Sequence, residues 1–399
     1  MFFSPQQDKA LVAVDEWLTS SDQQLFRLFG FAGTGKTTLA KHLAQNISGD
    51  VLFAAYTGKA AHVLRNKGCP NAGTIHGLIY RPMDKSQEHL DKLLLEEATY
   101  LKTRPRKDDP ELARLLRDIK AEEENLKRPS FHLNLDSRLR AASLLIIDEC
   151  SMVNTQMAMD LLGFGTKILV LGDPAQLPPV AGGGYFTEAR PDVMLTEIHR
   201  QAEGNPIIAL ATMVRQEKRP KLGSYGDSQV IRGFNDAQLV GADQILTGRN
   251  ATRKAINRKT RGLLGRGGST PVVDDRVVCL RNNHELGLMN GALWKVLEAK
   301  DVKKAPLVVE LRLQSDDGPA QVSTYAHRQY FQDGEPPQHL MGMADHFDFG
   351  YALTCHKSQG SQWDHVLVID ESSCFRESRW RWLYTAITRA AERVDLVLT

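Results

Sequence analysis

The sequence predicts an α/β protein built from two lobes with parallel sheets, each lobe carrying an insertion. Three observations predict it. Apolar runs alternate with helical patterns in two separate stretches of the chain. The runs are continuous, as in strands buried on both faces of a parallel sheet. Polar and acidic residues collect just after the runs, at the strand ends where open α/β sheets bind ligands.

The elements follow in order. "QLFRLFGFAGTGKTTLAKHLA" reads as a strand (Leu25–Phe29), a Gly-rich turn and a helix. "DVLFAAYTGKAAHVLRNKG" repeats strand, polar turn and helix. "AASLLIIDECSMV" and "TKILVLGDPAQLPPV" are apolar runs ending in acidic residues. Residues 81–140 interrupt this order. They are rich in charge of both signs, with leucines at helical spacing, and read as a solvent-facing helical insertion. A short strand or hairpin is expected at Phe131–Leu135. A second α/β pattern starts near residue 240 with "DQILTGRNATRKAINRKT" and continues in "YALTCHKSQG", "DHVLVID" and "RVDLVLT". Between its parts, β-formers and turn residues predict a small β-barrel. The expected boundaries are 1–80 with 141–195 for the first lobe and 81–140 for its insertion. Residues 196–271 with 346–399 form the second lobe, and 272–345 its barrel.

Composition bounds the class. A chain of 399 residues exceeds one core. Apolar residues at 42% and charged residues at 25% are ordinary for a soluble globular protein. No apolar run approaches bilayer length, and the start "MFFSPQQDKA" lacks the features of a signal peptide, so a cytoplasmic location is expected. The five cysteines are scattered without a CxxC pair, which argues against a disulfide framework or a structural zinc. A net charge of +2 neither demands nor excludes nucleic acid, because polar and backbone groups also hold phosphates.

Gly30-Phe31-Ala32-Gly33-Thr34-Gly35-Lys36-Thr37 fits G-x-x-x-x-G-K-[ST] between a strand and a helix, the context of a P-loop. Gly33, Thr34, Gly35, Lys36, Thr37 and Thr38 are the expected phosphate cradle. Lys36 would reach the β- and γ-phosphates of ATP, and Thr37 would ligate Mg²⁺. Asp148 and Glu149 follow "SLLII": Asp148 as second Mg²⁺ holder, Glu149 as the base that polarises water. A small-molecule kinase has no need of that second acid, so the pair argues for hydrolysis. Arg200 in "LTEIHRQ" and Arg389 in "WLYTAITRAAERV" are candidate γ-phosphate fingers or plain surface arginines. Gln7 is an adenine reader or a helix-surface residue.

"YALTCHKSQGSQ" (351–362) puts hydroxyl, thiol, imidazole, ammonium and amide groups together after a strand. A Cys355–His356 nucleophile pair is disfavoured because adjacent side chains diverge. A metal site would need more ligands. A loop contacting phosphates or nucleic acid remains, with Gly360 turning the backbone toward the nucleotide.

Taken in series, these motifs resemble superfamily 1 DNA helicases, in particular the RecD-like and Dda-like branch. The series is Gln7 with Ala10, "GFAGTGKTT", "YTGKAA", "GTIHGLIY", "IIDECSMV", "LVLGDPAQLPPV", "LTEIHRQ", "ALTCHKSQGSQWDHVLV" and "LYTAITRA". The resemblance implies two RecA-like lobes with ATP between them and single-stranded DNA across their top. It implies an SH3-like barrel, a strand-separating pin in 81–140, and 5′→3′ movement. It implies that Gln7 reads adenine, that Gln176 senses the γ-phosphate, and that Arg200 and Arg389 are fingers. It places Thr57, Lys59, Thr74, His76, Asn250, Thr354, His356 and Ser358 on or near the strand. Its expected partners are single-stranded DNA, single-/double-strand junctions and replication or recombination proteins, with the chain a monomer. An RNA helicase, or a translocase or loader that separates no strands, is the alternative.

Overall fold

The computed structural model describes residues 3–69, 71–83, 88–103, 109–127, 130–178, 184–197, 204–283, 285–303, 305–337 and 340–399. It divides into two compact units, 1–75 with 138–399 and 76–137.

The larger unit contains three sheets. In the first, the strand order is Gly73–Thr74, Val51–Ala55, Leu144–Asp148, Ile168–Gly172, Leu25–Gly30, Val193–Leu195. Every pairing is parallel. Leu144–Ile147 and Ile168–Leu171 are wholly buried, as the continuous apolar runs require. The helix Pro5–Ser20 starts with a capping box between Ser4 and Gln7, and packs Ala10, Val14 and Trp17 into this core. The order is non-sequential around Leu25–Gly30, and the P-loop leaves from the end of that strand, at a topological switch.

The second sheet runs Ala352–Thr354, Gln244–Thr247, Trp363–Asp370, Ala390–Leu398, Ser228–Ile231, Gly223–Tyr225. Only its last pair is antiparallel. The helix Arg379–Ile387 lies in its core with Trp382, Leu383, Tyr384 and Ile387 buried. This helix ends before Thr388, and the last strand starts at Ala390. Arg389 therefore sits in the turn between them.

The third sheet is antiparallel: Gln321–His327, Val308–Ser315, Leu293–Asp301, Arg276–Cys279, Phe347–Phe349. Alternating burial along Val308–Leu313 and Gln321–Ala326 points one face inward. Asp345, just before the last strand, bridges back to Ala326 at the opposite edge. The sheet thereby curls toward closure.

The smaller unit is a two-stranded ribbon, Tyr80–Met83 against Ser130–Leu133. The helices Glu88–Leu101 and Pro110–Lys127 lie between its strands in sequence. Tyr80 and Phe131 both contact the His76 ring, at 4.8 and 4.3 Å between centroids. The helical reading of 81–140 is thus accompanied by an aromatic cluster.

Candidate nucleotide and nucleic-acid site

The P-loop is shaped by Gly33 and Gly35, which adopt φ of 80° and 78°, a region open to glycine at no steric cost. Gly35 leads into the helix Lys36–Gln45. Lys36 Nζ donates to the carbonyls of Gly30 at 2.6 Å and Phe31 at 3.1 Å. Thr34 is buried, and its carbonyl accepts Gln7 Nε2 at 3.0 Å. Gln7 Oε1 accepts from Ser4 N–H. The Gln7 amide is thus spent on the P-loop and the helix cap.

Thr37 Oγ1 donates to Asp148 Oδ2 at 3.0 Å. A hydroxyl and a carboxylate side by side are hard oxygen donors suited to Mg²⁺. Among the described residues no group of three or more His, Cys, Asp or Glu gathers as a metal site. Burial pushes the Asp148 carboxyl up, with the neighbouring Glu149 charge adding to it and Lys36 opposing. Glu149 itself holds φ 53°, ψ 47°, an unusual backbone for a residue with a side chain.

These groups line one cavity of about 200 Å³ together with Gln176, Gly360, Thr388 and Arg389. Arg389 Nη1 lies 3.9 Å from Glu149 Oε1, beyond hydrogen-bond range. Its guanidinium is fixed by the carbonyls of Thr385 and Ser361. Gln176 is buried with its Oε1 unpartnered. Thr38 follows Thr37 in the helix but does not line the cavity. Arg200 lies outside the described residues.

Sequence reasoning missed Tyr384, Asp173, Thr385 and Gln359. Tyr384 and Thr385 stand inside "LYTAITRA", and Asp173 ends an apolar run whose acid was noted without a role. Gln359 stands inside "YALTCHKSQGSQ" without a role of its own. All four are buried. Arg215 was missed as well; its guanidinium stacks 3.5 Å from the Phe31 ring centroid in the P-loop.

The proposed strand contacts divide. Thr74, Thr354 and Asn250 lie at or just after strand ends, and Asn250 is exposed. Asn250 Oδ1 accepts from Arg253 Nε at 3.2 Å. Thr57 caps the helix Gly58–Asn66 by accepting Ala60 N–H. His76 belongs to the aromatic cluster of the smaller unit. His356 packs on Phe375 at 5.5 Å, and Phe375 stacks on Trp382 at 5.6 Å and 15°. Burial lowers the His356 imidazole, which favours its neutral form.

Two placements need correction. Ser358 is fully buried, and its hydroxyl donates to the Cys355 carbonyl at 2.7 Å. The 3₁₀ turn Cys355–Ser358 points it inward, away from any strand on the surface. Lys59 is 7% exposed and paired with Asp317 at 2.7 Å. Its ammonium is occupied by a carboxylate on the barrel hairpin. Cys355 is buried, with its thiol pushed up to about 12 by burial, a filler rather than a nucleophile.

Comparison with known proteins agrees with this geometry. An AAA-domain family model matches residues 3–236, and a UvrD-like helicase C-terminal domain matches 349–397. The chain belongs to the AAA-domain family of P-loop proteins. It is 28% identical over 405 residues to the ATP-dependent RecD2 DNA helicase of Deinococcus radiodurans, covering 93% of this chain and 46% of that protein. It is 26% identical over 294 residues to the conjugal transfer protein TraA of Rhizobium radiobacter, covering 64% of this chain and 24% of that one. The chain thus spans less than half the length of either relative. The fold is similar to Bacteroides Pif1 bound to single-stranded DNA, with TM-score 0.54 and 18% identity, covering 99% and 92% of the two chains. Candida albicans Pif1 gives TM-score 0.51 and 19% identity, covering 99% and 94%.

Proposed function

We propose that the protein is an ATP-driven DNA helicase that moves 5′→3′ along single-stranded DNA. One observation carries this reading. Arg389 from the second lobe shares a cavity with Lys36, Asp148 and Glu149 from the first. ATP bound there is enclosed by both lobes, so hydrolysis and lobe movement are linked.

The residues divide the work. The P-loop amides and Lys36 hold the phosphates. Thr37 and Asp148 would hold Mg²⁺, which when bound would supply charge neutralisation to the phosphates. Glu149 orients the attacking water and takes its proton. Arg389 balances the charge that spreads over the γ-phosphoryl oxygens. Gln176 lines the same cavity, and its amide N–H is the group that senses whether the γ-phosphate is present.

Thr57, Thr74, Asn250, Thr354 and His356 then form the track side, at the carboxyl-end edges of the two parallel sheets. Contacts to phosphates and stacking on bases are indifferent to sequence, as a motor requires. Within the smaller unit, the aromatic cluster of His76, Tyr80 and Phe131 offers rings on which bases can stack.

The test is strand displacement with ATP and Mg²⁺ on duplexes bearing a 5′ or a 3′ single-stranded tail. Displacement is expected from the 5′-tailed duplex. Displacement only from the 3′-tailed one overturns the polarity. ATP hydrolysis stimulated by DNA without displacement of either identifies a translocase, and stimulation by RNA alone identifies an RNA motor.

A further inference from the structure

Tyr384 belongs to the second lobe, where its ring packs with Trp382 and Leu383. Its hydroxyl reaches across to the first lobe. The oxygen accepts Ala32 N–H at 2.9 Å, and the O–H donates to Asp173 Oδ2 at 2.7 Å. Ala32 is the third residue of the P-loop, and Asp173 directly follows the strand Ile168–Gly172. Burial pushes the Tyr384 phenol far up, so it stays protonated and serves Asp173 as a donor. Asp173 Oδ1 accepts Ala175 N–H at 3.0 Å. The carboxylate therefore braces its own loop on one side and the phenol on the other.

The same loop is gripped at its far end. Leu177 N–H donates to Thr385 Oγ1 at 2.9 Å, and Gln359 Nε2 donates to the Leu177 carbonyl at 3.1 Å. Between the two grips lies Gln176, which lines the cavity and whose buried amide oxygen is unpartnered. Tyr384 itself does not line that cavity. Anything it does for the reaction passes through Ala32 and Asp173.

We infer that the Tyr384 hydroxyl is a positioning group for ATP turnover: from the second lobe it sets the P-loop and the Gln176 loop in register when the lobes meet. This rests on reading the cavity as the ATP site. A phenylalanine keeps the ring in its core. It leaves a buried amide and a buried carboxylate without their shared partner, an arrangement that proteins avoid.

The experiment is Tyr384→Phe in the full chain. ATP hydrolysis is measured with saturating single-stranded DNA, and nucleotide sites are counted with a non-hydrolysable ATP analogue. The expected result is one site per chain, a KM for ATP within about two-fold of wild type, and kcat per site lower by about ten-fold. A general loss of folded protein lowers the site count and leaves kcat per site intact, so it does not imitate this split. Tyr384→Phe combined with Asp173→Asn should lose less than the sum of the two single losses. If the Phe variant yields no folded protein, the same measurement on Asp173→Asn tests the Asp173 arm of the bridge, and an unchanged kcat per site there overturns the inference. Unchanged kcat per site, or a raised KM with kcat kept, overturns the inference. Lys36→Ala run alongside separates the two levels. A Lys36→Ala protein that still hydrolyses ATP sinks the ATP-site reading itself. An inactive Lys36→Ala beside a wild-type kcat in Tyr384→Phe sinks only the role of Tyr384.

Discussion

Lys36 and His356 are the residues whose surroundings say most about their work. The Lys36 ammonium rests on the carbonyls of Gly30 and Phe31, two weak acceptors that a phosphate easily outcompetes. Lys36→Ala should therefore abolish DNA-stimulated ATP hydrolysis, and rates near wild type in a steady-state assay would refute the assignment. His356 is half-buried against Phe375, and its depressed imidazole is neutral near pH 7. A neutral ring releases no counterion from DNA. His356→Ala should weaken DNA stimulation more than basal hydrolysis. It should also leave unchanged the slope of log affinity against log salt. Equal loss of both activities would contradict a track-side role. At this scale the sequence carried the cradle well, because spacing around Gly33, Gly35 and Lys36 has one physical use. It did not carry Ser358: the one-letter pattern is blind to the 3₁₀ turn that rolls this hydroxyl inward. Tyr384 and Asp173 were unreadable for a related reason. Their partnership joins residues 211 positions apart, and nothing local in either stretch requires it.

Among the elements, the helix Arg379–Ile387 has a double attachment. Trp382 receives the Phe375–His356 stack, while Tyr384 and Thr385 hold the first lobe. One helix thus connects the His356–Phe375 stack to the first-lobe loops that carry Ala32, Asp173 and Leu177. The helix Gly58–Asn66 bears the second element-scale device, the Lys59–Asp317 pair. A pair this enclosed is little screened, and breaking it exposes a charge that needs a new partner. Asp317→Asn frees Lys59 for a backbone phosphate. Single-stranded DNA binding at low salt should tighten, with the salt slope steeper by about 0.7, the yield of one added phosphate contact. Titrations at several salt concentrations check this, and an unchanged slope would leave Lys59 away from the strand. The parallel strands were legible as elements because their buried runs are continuous. The ribbon Tyr80–Met83 with Ser130–Leu133 was only half legible: the second strand was visible near Phe131, but its partner lies before two helices, and pairing across such a gap leaves no periodic trace.

For the whole molecule, two parallel sheets of similar plan face one cavity, and the order of each sheet puts the loops of interest at the same edge. On the proposed reading, polarity belongs to the lobes rather than to any single residue. The displacement assay on 5′- and 3′-tailed duplexes is accordingly a property of the complete chain, and loss of one contact should slow it without reversing it. The two-lobe plan was readable from motif order, whereas the return of Asp345 to Ala326 was not. A single bridge between distant residues has no signature in hydrophobic pattern.

Gly360 turns with φ 76°, and a Cβ placed there would lie 2.8 Å from the Ala60 Cβ and 3.1 Å from Thr57 Oγ1. The Gly360 backbone meets the Ala60 and Thr57 side chains there, with no slack for even a methyl group. On the proposed reading this glycine is a mechanical end stop that fixes how far the jaws shut. Any side chain grafted there would act as a shim, holding Arg389 away from the first lobe and shortening the stroke.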